Sequence, residues 1–282
     1  MSADQGLWRR AGPGDVAAVR RFLAPRETYA TGLSGRLLGA DGGLRLPKKP
    51  GALYLLQTAY GGVQAAVLLP VGGSAFPVFA DGACADGVAR SANARSYRPS
   101  ACAGRADHVD ALEAALRWEP ILRIRYRVMT LDAPDFTPGA DGTARPARAS
   151  DLDALCPLAE AYEREEVLTP IHRFDADGSR AAQARSLDRH IVYLAEADGL
   201  VVARAQTNAR GYTRDQIGGV YVRPDYRRHG YGRIVVTALA RDRLAAGRGL
   251  SLFVKEANPA AIGLYLALGF KDAGSYRVDY FV

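Results

Sequence analysis

Apolar residues recur along the second half of the chain at two spacings, every second residue and every third or fourth. The first spacing, with β-branched and aromatic residues, predicts strands, and the second predicts helices with one apolar face. The predicted strands are residues 191–196, 200–208, 216–222 and 252–254. The predicted helices are residues 152–167, a segment after Asp177, residues 231–246 and residues 261–268. Strands that alternate with helices in this way indicate an α/β fold.

The first half of the chain shows similar patterns. Residues 7–11 suit a strand, and Asp15 then caps a helix with apolar residues at helical spacing. The other predicted elements are hairpin strands at 52–58 and 63–71, an irregular stretch at 81–96, a helix at 107–118 and a strand with one basic face at 121–129. A short strand followed by a capped helix returns at 148–155, which suggests two copies of one fold.

One segment, residues 133–145, has the composition of a linker, with Pro134, Pro138, Gly139 and Gly142 in a short span. It separates two predicted domains, residues 1–132 and residues 146–282. A chain of 282 residues that is 48% apolar can bury one large core or two modest ones. Two domains therefore fit the length.

Charge and reactive side chains narrow the functional classes. The formal net charge is +7, but the arginines are spread along the chain without interleaved stacking aromatics, which argues against a nucleic-acid partner. Three cysteines (Cys84, Cys102 and Cys156) and four histidines are too scattered for a metal site. No apolar run is long enough for a membrane span and the N-terminus lacks a signal pattern, so we expect a cytoplasmic protein without a membrane partner.

The richest motif is residues 227–232, where a predicted strand runs into a predicted helix. Gly230 and Gly232 lie at the helix start, where free N–H groups and the helix dipole favour an anion such as phosphate. The spacing lacks the Lys-Ser/Thr of a Walker loop and the three glycines of a dinucleotide fingerprint.

The pattern Arg227-x-x-Gly230-x-Gly232 resembles the coenzyme A pyrophosphate loop of the GNAT acyltransferases. A second signature of that family, Asn-x-x-Ala-x-x-x-Tyr-x-x-x-Gly-Phe, is matched further along the chain. Its positions are Asn258, Ala261, Tyr265, Gly269 and Phe270. Two motifs in the family's order make the resemblance specific, and it covers the second half of the chain.

The resemblance implies two GNAT-like folds in tandem, each a mixed and mostly antiparallel sheet flanked by helices. Since residues 1–132 lack the loop, the chain resembles bacterial tandem members whose N-terminal half is degenerate. The implied activity is transfer of an acetyl group from acetyl-CoA to a primary amine by direct attack in a ternary complex, without a metal. A monomer or a homodimer is expected.

The resemblance also assigns residues to roles. Tyr265 is the expected general acid that protonates the leaving thiolate, although an aromatic residue on a short helix can also be simple packing. Asn258 either bonds the pantetheine arm or only starts its turn. The expected cofactor-binding residues are Val220, Tyr221, Val222, Arg227, Arg228, His229, Gly230, Tyr231, Gly232, Asn258, Ala261 and Tyr265.

The general base is open at this point. Histone-type family members have a glutamate where this chain has Gln216, which cannot titrate. The alternatives are a water ordered by Gln216, a carboxylate such as Asp215 or Glu256, or an amine that arrives neutral. An α-amine, with a pKa of about 7.7, needs less help than a lysine-like amine, with a pKa of about 10.4.

The acceptor is expected near the first two helices of the second half. Glu163 and Glu166 are candidate residues for binding a cationic amine, although a charged helix is often only a solvated face. The alternative function is a coenzyme A-binding regulatory module without turnover. A tRNA-dependent aminoacyl transferase is less consistent with an intact pyrophosphate loop, and an amino-sugar acceptor, as in mycothiol synthesis, fits within acetyl transfer.

Overall fold

The computed structural model describes residues 7–39, 41, 43–49, 51–58, 60–71, 73–81, 85, 87–88, 92–139 and 142–281. Cys84 and part of the predicted irregular stretch at 81–96 lie outside the described residues. The strands are β1 Leu7–Arg10, β2 Ala52–Gln57, β3 Val63–Leu69, β4 Ser74–Phe79, β5 Ala101–Arg105, β6 Leu122–Leu131, β7 Ala144–Pro146, β8 Val192–Ala197, β9 Leu200–Arg210, β10 Arg214–Val222, β11 Gly249–Lys255 and β12 Lys271–Tyr280. The helices are α1 Val16–Leu23, α2 Glu27–Leu37, α3 Ala92–Ser96, α4 Ala106–Leu116, α5 Leu152–Tyr162, α6 Ala176–Arg189, α7 Tyr231–Ala245 and α8 Pro259–Ala267, and a π-helical turn, Glu163–Val167, extends α5.

The described strands form one twelve-stranded sheet in the order β1-β2-β3-β4-β5-β12-β6-β11-β10-β9-β8-β7. Neighbouring strands are antiparallel except at β4–β5 and β10–β11, where they are parallel. The mixed, mostly antiparallel sheet flanked by helices confirms the predicted fold class.

The two halves exchange strands at the centre of the sheet. β6 belongs to the first half in sequence, yet it pairs with β11, with Leu131 opposite Leu250. β12 belongs to the second half, yet it pairs with β5, with Tyr276 opposite Arg105. Each half therefore contributes the strand that completes the sheet of the other half. The division at residue 132 stays a prediction for the sequence, but it does not divide the sheet.

The short strand followed by a capped helix, which the sequence predicts in both halves, has the same structure in each. Arg9 forms an ion pair with Asp15 at the start of α1, and Arg145 pairs with Asp151 at the start of α5, with Nη1 2.8 Å from Oδ2. In each copy the aspartate also accepts a backbone N–H, from Gly12 or from Arg148, at 2.7 Å. The Arg145 guanidinium lowers the pKa of Asp151 to about 2. The two halves thus share one strand-to-helix junction.

Helix α2 of the first half packs across β9, β10 and β11 of the second half. Its first residue, Glu27, is fully buried and accepts hydrogen bonds from the backbone N–H groups of Tyr212, Thr213 and Arg214 at 2.6, 2.6 and 3.1 Å. This carboxylate therefore holds the β9–β10 turn against the first half.

The predicted linker packs against the second half. Gly139 N–H donates to Thr237 on α7 at 3.2 Å. A Cβ at Gly142 would lie 2.4 Å from Ile234, so glycine permits this close approach. β7 already begins at Ala144, two residues before the predicted start of the second domain.

Candidate active site

A cleft opens where β10 and β11 separate. The parallel pairing between them runs from Arg214–Gly249 to Ile217–Leu252 and then stops. On its other side, β10 carries a bulge against β9, because the register shifts between Gly218 and Tyr221, and Gly219 has a φ of 56°. The cleft ends in a cavity of about 150 Å³.

The predicted pyrophosphate loop has the geometry of an anion cradle. Arg228 and Gly230 both have positive φ angles, 65° and 85°, and α7 begins at the next residue, Tyr231. No described residue accepts a hydrogen bond from the backbone N–H groups of 228–232. Free N–H groups in such a turn at a helix start form a concave anion site.

Side chains around the loop differ in their surroundings. Arg228 and His229 are exposed, and Tyr231 makes an edge contact with Tyr226 at 6.0 Å between ring centroids. Gly232 is buried, and a Cβ there would lie 3.2 Å from Leu264 on α8. The second glycine of the motif therefore lets α7 and α8 pack closely.

Arg227 bonds to Glu165 and to the Val222 carbonyl. Its Nη2 lies 2.7 Å from Glu165 on the π-helical turn, and its Nε donates to the Val222 carbonyl at 3.1 Å. Tyr221 is buried, and its hydroxyl donates to the same Glu165 at 2.5 Å. The sequence predicts that Arg227 binds the pyrophosphate, but its positive charge is partly neutralised by Glu165 in this structure.

The edge of β10 that faces the cleft offers backbone groups. Arg223 N–H donates to Val202 on β9 at 2.9 Å, so alternation along the strand turns the backbone groups of Val220 and Val222 toward the cleft. Val220 also lines the cavity. The expected role of Val220 and Val222 in bonding an extended ligand stays a prediction.

The second signature forms helix α8 and its start. Asn258 accepts the Ala261 N–H at 3.0 Å as the helix cap, and its Nδ2 donates to Glu166 at 3.3 Å. Asn258 therefore starts its turn and also lines the cavity. Gly269 ends the helix with a φ of 91°, where a Cβ would lie 1.9 Å from a backbone oxygen of Asp135.

Tyr265 projects from α8 to the cavity and is only 7% exposed. Its ring packs edge-on against Phe270, with centroids 5.6 Å apart. Burial raises the pKa of Tyr265, so the phenol keeps its proton at neutral pH. Tyr265 therefore packs against Phe270 and also lines the cavity, and its role as the general acid stays a prediction.

The two candidate acceptor-binding glutamates are placed differently. Glu166 lines the cavity, and its Oε2 lies 3.4 Å from Lys255 Nζ. Glu163 sits one helical turn earlier and is absent from the described cavity lining. The structure thus brings Glu166, but not Glu163, to Tyr265.

None of the three candidate base positions lines the described cavity. Gln216 faces α2, where its amide oxygen would be 3.6 Å from a Cβ placed on Gly32. Asp215 is buried between Arg243 and Arg248, at 3.7 and 3.3 Å. Glu256 is exposed. We therefore find no direct path for the expected β10 base to a ligand in the cavity.

Four polar side chains of the cavity lining were missed by the sequence interpretation. Tyr126 comes from β6, Tyr162 from α5, Lys255 from β11 and Tyr280 from β12. Tyr126 and Tyr280 reach the cavity only through the strand exchange, which no local pattern reveals. Tyr162 lies within the predicted helix 152–167, and Lys255 comes directly after the predicted strand 252–254. Nothing in their spacing distinguishes them from surface residues.

The corresponding cleft in the first half is filled. Pairing between β4 and β5 stops at Ala75–Cys102, and beyond it the buried His108 accepts the Phe79 N–H at 3.4 Å. Burial lowers the pKa of His108 to about 4, so the ring is neutral and can accept this bond. A Cβ at Gly104 would already lie 3.3 Å from Pro77. A ligand strand has no room there.

Sequence comparison decides the family of the second half. Residues 153–270 match the Acetyltransferase (GNAT) family. This region is a GNAT acetyltransferase domain. The match includes the loop at 227–232, the bulge in β10 and helix α8, whereas Tyr126 and Tyr280 of the cavity lie outside it. No curated protein sequence matches the chain.

Solved structures share the fold of the whole chain, including the half that precedes the GNAT domain. A Drosophila protein is 11% identical with a TM-score of 0.65, covering 98% of this chain and 99% of that one. A GNAT-family acetyltransferase from Colwellia psychrerythraea is 10% identical with a TM-score of 0.57, covering 97% and 98%. A GNAT-family protein from Novosphingobium aromaticivorans is 20% identical with a TM-score of 0.46. That match covers 57% of this chain and 65% of the Novosphingobium chain. At these identities the likeness concerns the fold alone.

No described helix is both long and apolar enough to cross a membrane. Within the same residues, no group of three or more His, Cys, Asp or Glu side chains is arranged to hold a metal ion.

Proposed function

We propose that the GNAT domain transfers an acetyl group from acetyl-CoA to a primary amine by direct attack in a ternary complex. One observation carries the proposal. The unbonded N–H groups of 228–232 lie at one end of the cleft between β10 and β11, and a tyrosine-lined cavity lies at the other. A pyrophosphate at the loop and a thioester at the cavity would span this cleft.

The residues of the cleft divide the work. The N–H groups of 228–232 bind the pyrophosphate, and Val220 and Val222 bond the pantetheine amides along the strand edge. Tyr265 donates a proton to the departing thiolate. Glu166 receives the amine, because it supplies a carboxylate to the described cavity lining.

The position of Gln216 favours a weakly basic acceptor. With Gln216, Asp215 and Glu256 all off the described cavity lining, an amine with an appreciable neutral fraction near pH 7 needs no base at those positions. An α-amine, with a pKa of about 7.7, meets this condition better than a lysine side chain, with a pKa of about 10.4.

The same observation supports a second candidate, a coenzyme A-binding module without turnover. The two functions differ in one measurement. Purified protein is incubated with acetyl-CoA and a panel of amines, amino acids and peptides, and released coenzyme A is followed with a thiol reagent. Acceptor-dependent release supports acetyl transfer. Tight binding in a calorimeter without release supports the module, and absence of binding refutes both.

A further inference from the structure

A buried positive charge lies directly behind the cavity. Arg204 on β9 is 3% exposed. Its guanidinium donates to Gln183, to Gln206 at 2.7 Å and to the Gly219 carbonyl at 3.2 Å. All three acceptors are neutral, and no described carboxylate lies within ion-pair distance of Arg204.

Such an arrangement is costly for the fold. A buried charge is usually paired, because loss of hydration is not repaid by neutral hydrogen bonds alone. Burial lowers the pKa of Arg204 to about 10, which still leaves it charged at neutral pH. A glutamate at position 183 or 206 would remove the imbalance with little change of shape. The chain has glutamine at both positions.

The charge is aimed at the bulge that forms the cavity wall. Gly219 lines the cavity, and a Cβ on it would lie 2.8 Å from Arg204 Nη2. Glycine with a φ of 56° thus lets the guanidinium approach the wall from behind. The bond to the Gly219 carbonyl also fixes the bulge that precedes Val220.

We infer that Arg204 is a positioning residue whose uncompensated charge stabilises the oxyanion of acetyl transfer. The inference rests on the proposed function. The amine nitrogen forms a bond to the thioester carbon, and the C=O π electrons move to the oxygen as negative charge. Collapse restores C=O and breaks the C–S bond. The thiolate takes a proton from Tyr265, the amine nitrogen releases its proton to water, and the Tyr265 phenolate regains a proton from water. A fixed positive charge in a dry wall stabilises the oxyanion without reorganisation.

The first test removes or neutralises the charge and reads the thioester directly. Isotope-labelled acetyl-CoA is bound to the wild type and to Arg204→Gln, Arg204→Lys and Gln206→Glu, and the carbonyl stretch is recorded by infrared difference spectroscopy. Gln206→Glu keeps Arg204 and its hydrogen bond but supplies a counter-charge. This variant therefore still tests the inference if Arg204→Gln does not fold. We expect the stretch to move to higher frequency in Arg204→Gln and Gln206→Glu and to stay near the wild-type value in Arg204→Lys.

The second readout is turnover with the amine found in the acceptor panel. We expect kcat to fall roughly tenfold to a hundredfold in Arg204→Gln and Gln206→Glu, less than the loss of a directly donating oxyanion group, with little change in acetyl-CoA affinity. A purely structural role predicts the opposite for Gln206→Glu, a more stable protein with unchanged kcat and carbonyl frequency. That result would overturn the inference about Arg204 and leave the proposed function standing. A wild-type protein that does not bind acetyl-CoA would overturn the proposed function.

Discussion

Replacement of Gly230 by valine is the most direct test of the pyrophosphate loop. Gly230 has a φ of 85° and open space around its Cα, so a side chain meets no neighbour but adopts a backbone conformation that L residues avoid. The left-handed region costs about 1–2 kcal/mol, and more for a β-branched residue. A backbone that relaxes to negative φ turns the N–H groups of 230–232 away from a common point.

The expected loss of affinity follows from these contacts. A hydrogen bond to a charged group contributes about 1.5–3 kcal/mol, so loss of one bond together with the strain amounts to about 3 kcal/mol, or roughly 150-fold in the dissociation constant of acetyl-CoA. Titration calorimetry measures it. Gly199→Val is the matched control, because Gly199 has a φ of 76° with nothing within 4 Å and lies in the β8–β9 turn. A folded Gly230→Val protein with wild-type affinity would refute the assignment of the loop.

Three further outcomes are expected. Tyr265→Phe should lower kcat about 10²-fold with acetyl-CoA affinity unchanged, since the ring still packs; a wild-type kcat, with chemistry rate-limiting, would leave Tyr265 only a packing role. Glu27→Gln should lower the free energy of unfolding by about 3 kcal/mol in urea titration, because an amide cannot accept every bond that the buried carboxylate accepts; a change below 1 kcal/mol would contradict this. Glu113 has its pKa raised from 4.5 to about 8 by burial and by the neighbouring Asp279, so the folded state holds a proton that unfolding releases, and stability should fall as pH rises from about 4.5 to 8. In Glu113→Gln, the melting temperature should depend less on pH across the same range. If the melting temperatures of the wild type and the variant fall equally with pH, Glu113 and Asp279 are not the cause.

Local features of the sequence were sufficient for part of the site. Gly230 and Asn258 act through their immediate neighbours, one by a positive φ and the other by capping α8, so their motifs predict the loop and the helix. The surroundings of Gln216 depend on α2, a helix of the other half packed across β10. Arg204 looks like an ordinary strand arginine until Gly219 and the two glutamines are placed around it.

The strand exchange is the least predictable feature, for a physical reason. Alternation of apolar residues identifies β6 as a strand, but it does not specify which of many distant strands lies beside it. Tyr126 therefore enters the cavity only once β6 is seated between β11 and β12. The burial pattern of the whole sheet decides that pairing.

The position of β6 also fixes the order in which the chain can mature. Multidomain chains commonly fold their N-terminal part while the rest is still being synthesised. Here the neighbours of β6 are residues 249–255 on one side and 271–280 on the other, so both of its edges are unpaired until the second half has left the ribosome. β5 likewise lacks its β12 neighbour until then. The middle of the sheet is consequently the last part to close.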